Sequence, residues 1–241
     1  MKKILIATVT ILTFSALNAS AQTRSHEDIL KELSAKRAEL AKFEMEVAKL
    51  EKALLTLSKE DQRAYADFLK QPNTGMFRLM PRETYDGKII NTIRGGGSYY
   101  SFTERTNEYG PSDISLEQGY LKTGFAGANY GMLTVLGDIP LENVSLETTA
   151  TNIVAVHQPA ANEPSARIEQ RRWSDGTTVD GTTFKDRLPL KANSTYLLRS
   201  ILYSSHDCLV AFRVERIDTD GSAIILWKLL KNYPVPQLAR N

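Results

Sequence analysis

Hydrophobic and polar positions follow two different rulers along this chain. Between Ile29 and Leu57 the apolar residues step by four and three: Ile29, Leu33, Leu40, Phe43, Val47, Leu50, Leu54 and Leu57, with Lys36 breaking the series. This is heptad spacing, the mark of an amphipathic, coiled-coil-like helix. Residues 23–58 contain no Gly or Pro to interrupt it. Helices of this kind are rarely stable alone in water, so the stripe calls for a cover. Ser58 before Lys59-Glu60-Asp61 predicts a cap and a second, short helix to about Lys70. Tyr65, Phe68 and Leu69 form its apolar side, and Gln71-Pro72-Asn73-Thr74-Gly75 stops it.

From Met76 onward the ruler changes. Strand-like runs occupy 88–94, 98–103, 131–136, 152–157, 167–173, 195–203, 208–217 and 223–230. Asp86-Gly87, Asp175-Gly176, Asp180-Gly181 and Asp218–Ser222 punctuate them as hairpin turns, because Gly accepts positive φ at no steric cost. No helical pattern of comparable length is expected among these runs. Cys208, Val210, Phe212 and Val214 alternate with Leu209, Ala211, Arg213 and Glu215, and the next run is apolar on both faces apart from Lys228. They predict a hairpin whose second strand lies deep in a sheet. Pro234 and Pro236 cannot continue a central strand. The expected fold is α+β: a long N-terminal helix, a short helix, then a mostly antiparallel β-sandwich or β-barrel-like domain. Its expected divisions are residues 1–21, 22–71 and 76–241.

Residues 1–21 carry the marks of a secretory signal. Lys2 and Lys3 precede an apolar run from Ile4 to Leu17, and Ala19-Ser20-Ala21 supplies small residues for cleavage. The run is shorter than the ~20 residues needed to cross a bilayer, and no later stretch suggests a transmembrane helix. The chain is therefore expected to be exported, to a bacterial periplasm or the cell exterior. The charge balance then changes. The whole chain has 30 basic and 28 acidic residues, so without Lys2 and Lys3 the two signs are equal. No global basic field argues for nucleic acid. Cys208 is the sole cysteine, so the fold is held by its core rather than by disulfides.

Candidate chemistry is sparse. His206-Asp207-Cys208 suggests a nucleophile, but Cys208 shares a face with Val210 and Phe212 and is better read as a core residue beside a turn. Asp218-Thr219-Asp220-Gly221 begins like a calcium loop, yet the twelfth position is Leu229 where a Glu is needed. His26, His157 and His206 show no metal-ligand spacing. No catalytic set, cofactor motif or metal motif is complete. The residues singled out for ligand binding are Arg94, beside Gly95-Gly96-Gly97, the aromatic cluster Tyr99, Tyr100 and Phe102, and the basic-aromatic pair Arg172 and Trp173.

The function expected is that of a non-enzymatic binding or scaffolding protein, with partner binding or self-association through Ile29–Leu57. The alternatives are an exported hydrolase with its site near Tyr99–Phe102 or His157/His206, and a carbohydrate- or peptide-binding module with an exposed aromatic strip. The residues flanking the heptad seam bear on self-association. In a parallel pair Glu32 would meet Arg37, but Glu39 would meet Glu44 and Glu46 would meet Glu51. Each like-charge step costs about 0.5 kcal/mol.

Overall fold

The computed structural model describes residues 25–84, 97–107 and 110–239. The expected signal, the 88–94 run and the Asp86-Gly87 turn lie outside the described residues. The chain divides into two compact units at Val47. Helix α1, His26–Leu55, begins in the first unit and runs into the second. Ser25 caps it by accepting the Asp28 N–H at 3.1 Å. None of its side chains is buried.

In the second unit, α2 (Lys59–Ala64) and α3 (Ala66–Leu69) follow in quick succession. The Ser58 hydroxyl accepts the Asp61 N–H at 2.9 Å, which is the cap its sequence suggests. Among the described residues eleven strands follow: β1 (Thr74–Leu79), β2 (Tyr99–Tyr100), β3 (Ile114–Glu117), β4 (Tyr120–Lys122), β5 (Tyr130–Gly137), β6 (Thr177–Val179), β7 (Thr182–Phe184), β8 (Arg187–Pro189), β9 (Ser194–Leu202), β10 (His206–Ile217) and β11 (Ala223–Tyr233). A large antiparallel sheet has the order β1-β11-β10-β9-β5, a small one the order β2-β3-β4-β8, and β6-β7 is a separate hairpin. The sheets do not close into a barrel among the described residues.

The large sheet is buried on both faces, which is why β10 and β11 read as nearly continuous apolar runs. On one face Cys208, Val210, Phe212, Ile225 and Trp227 pack with Tyr100, Ile114, Leu116 and Leu121 of the small sheet. On the other, Leu197, Ile201, Leu209 and Ala211 pack with Phe68 and with two further helices, α4 (Thr149–Ala155) and α5 (Glu163–Asp175).

These two helices correct the sequence reading, which has strands at 152–157 and 167–173. The β-branched run in α4 imitates a strand, but Ala150, Thr151 and Val154 fall on one helical face against the sheet. In α5 only Ala166 and Trp173, seven residues apart, are buried, so the helical period is thinly written. Its start is set by Asn162, which accepts the Ser165 N–H at 2.9 Å, with Pro164 in the first turn. Asp175-Gly176 therefore ends a helix, Gly176 taking φ 96°. Asp180-Gly181 does turn β6 into β7, and the Asp218–Ser222 loop joins β10 to β11.

Candidate functional site

Strand alternation at the start of β10 divides His206-Asp207-Cys208 between the two faces of the large sheet. His206 and Cys208 point toward the small sheet, and Asp207 points toward the helices. Each side meets a distant partner.

On the small-sheet side the partner is Asp113, the residue before β3, whose side chain is 0% exposed. Its Oδ1 lies 2.6 Å from His206 Nε2 and 3.7 Å from Cys208 Sγ. Its Oδ2 accepts the Phe102 N–H at 2.8 Å, which fixes the carboxylate plane. The other imidazole nitrogen, His206 Nδ1, sits 3.0 Å from the Ser205 hydroxyl and 3.3 Å from that of Thr103. Burial, and after it the carboxylates of Asp113 and Asp207, push the Cys208 thiol well above its ordinary range. Left to itself Cys208 stays a protonated thiol and is no nucleophile.

On the helix side Asp207 forms a two-pronged pair with Arg199 of β9, at 3.0 and 2.8 Å, with both side chains 1% exposed. The same guanidinium donates to the carbonyls of Val154 and His157 at 2.6 and 2.7 Å, satisfying the end of α4. It also lies 3.8 Å above the ring of Tyr233. His157 Nε2 is 2.9 Å from the Tyr130 hydroxyl. Burial, helped by Arg199 and Arg172, pushes its pKa down to about 4, so the ring is neutral. A cavity of about 230 Å³ opens over the ion pair, walled by Pro159, Ala160, Tyr233 and Pro236.

The residues singled out from sequence take other places. Tyr99, Tyr100 and Phe102 are all buried. Tyr100 stacks on Phe77 with ring centres 3.5 Å apart, and Phe102 meets Trp227 edge-on at 5.5 Å. They form core rather than an exposed strip. Arg94 lies outside the described residues. The Arg172 guanidinium sits 4.8 Å over the Trp173 ring, but Trp173 is buried against Phe184 on the helix side. Tyr100 and Phe102 thus come together, while Arg172 and Trp173 lie across the large sheet from them. His157 and His206 are likewise separated by the sheet. Sequence reasoning missed Asp113, Thr103 and Arg199. The alternation of residues 206–208 signals that two faces are involved, but nothing local marks Asp113 as a partner.

Fold and site together define an α+β protein with a long exposed helix and a β unit holding two buried polar clusters back to back. No protein-family model, curated protein or solved structure matches it.

Proposed function

We propose that this is an exported binding or scaffolding protein of the cell envelope, in which α1 receives a helix of another protein and the β unit is the scaffold. The observation that carries this is the apolar stripe of α1. Leu33, Leu40, Phe43, Val47, Leu50 and Leu54 are between 44 and 71% exposed. A contiguous apolar face of this size marks an interaction surface. The seven positions flanking the seam hold five Glu (Glu32, Glu39, Glu44, Glu46, Glu51), one Arg (Arg37) and one Ala (Ala53). A second copy would bring mostly acid against acid. A helix with an apolar stripe and Lys or Arg flanks would complement both features.

Light scattering tests this on residues 22–241, alone and with a synthetic helix that copies the stripe and carries lysine at the flanking positions. The chain alone is expected to be monomeric and to gain one peptide, more weakly as salt rises. Serine at Leu40 and Phe43 should abolish binding. A chain that dimerises by itself, or one that ignores the peptide, contradicts the reading.

A further inference from the structure

We propose that Asp113, His206 and Cys208 form a zinc site that ties the small sheet to the large one. This is independent of α1 and of any partner it receives. One oxygen, one nitrogen and one sulfur, from side chains on two sheets, lie within 4.8 Å of one another. Zinc bonds to these atom types are ~2.0–2.3 Å long, which places neighbouring ligand atoms roughly 3–4 Å apart. The cluster needs only small shifts to meet that geometry.

Three further features point to a cation. The supports around the ligands are in place: the Phe102 N–H holds Asp113 from behind, and the Ser205 and Thr103 hydroxyls face the far nitrogen of His206. Among the described residues Asp113 forms an ion pair with no Lys or Arg; His206 alone pairs with it. Zn²⁺ with one carboxylate, one thiolate and one neutral imidazole is charge-neutral, so a bound ion would leave no net charge in this buried cluster. Finally, the His206 side chain is 11% exposed and gives an ion a way in.

The protons balance simply. Cys208 releases its thiol proton to solvent as the Zn–S bond forms. Neutral His206 carries its one proton on Nδ1, where Ser205 and Thr103 accept it, and Nε2 binds the metal. The fourth position is left for water. Calcium and magnesium are disfavoured, because they take sets of six or more oxygens.

The test uses residues 22–241 freed of metal by a chelator, then titrated with Zn²⁺ against a competing chromophoric chelator, and with Co²⁺. The expected result is one equivalent of Zn²⁺, a raised Tm, and a sulfur-to-cobalt charge-transfer band. Cys208→Ser should remove the band, and His206→Asn should weaken Zn²⁺ binding about 100-fold or more. Thr103→Ala with Ser205→Ala should weaken it by about 10–100-fold. Circular dichroism checks that each variant folds. No Zn²⁺ uptake by the parent chain overturns the proposal. So does equal binding by folded Cys208→Ser, or loss of binding only in His26→Ala or His157→Ala.

Discussion

Arg199 is held by four hydrogen bonds, two to Asp207 and two to carbonyls at the end of α4. It is a tie between sheet and helix as much as an ion pair. Breaking such a buried pair from one side leaves a charge without compensation, at a cost of about 3–5 kcal/mol. Asp207→Ala is expected to lose that much stability in urea unfolding. Arg199→Met with Asp207→Leu should lose clearly less than the two single changes added together, which a double-mutant cycle measures. His157 gives a pH signature. Its folded pKa of about 4 lies below its ordinary 6.5, so the unfolded chain binds more protons between those values. Stability is therefore full above pH 6.5 and falls as pH drops toward 4. The slope should stay below the ~1.4 kcal/mol per pH unit of a whole proton, because the ring is partly exposed. His157→Gln should flatten it in thermal or urea unfolding measured across that window.

Among the elements, the β1–β11 pairing depends on one small residue. Gly75 stands opposite Trp227 in register, and a Cβ there would lie 2.5 to 2.7 Å from the indole. Gly75→Ala should cost about 1–3 kcal/mol through overpacking, read as a shift in the urea midpoint. The elements also show what is legible in the chain. The long helix and the hairpin of β10 and β11 can be read directly, because the helix repeats its heptad, β10 alternates, β11 is a continuous apolar run, and turn residues join the two strands. α4 and α5 cannot. Thr149, Thr151, Ile153 and Val154 favour a strand on local grounds, and only packing on the large sheet makes them helical. The clusters at Asp113 and Arg199 are half legible. Alternation at 206–208 shows that the three side chains diverge, but Asp113 and Arg199 are placed by pairings that no local pattern encodes. Tyr99, Tyr100 and Phe102 attract attention as aromatics, yet all three are buried: Tyr100 and Phe102 meet each other, Phe77 and Trp227, and Tyr99 meets Phe125 edge-on.

At the scale of the molecule α1 and the sheets differ in how their apolar surface is used. The sheets bury large apolar residues in two clusters, one on either face of the large sheet. In α1 the apolar residues are exposed and edged with Glu. Among the described residues no helix is long and apolar enough to cross a membrane. The central claim is that the α1 stripe receives a basic-flanked helix of another protein. Site-specific photo-crosslinking in the native cell tests it most directly, with the reactive group at position 43 in the seam and, as control, at position 38 on the opposite side. An adduct is expected from position 43 alone, mapping to a segment with apolar residues every three or four positions and Lys or Arg beside them. An adduct of two copies of this chain, or equal labelling from positions 43 and 38, would contradict it.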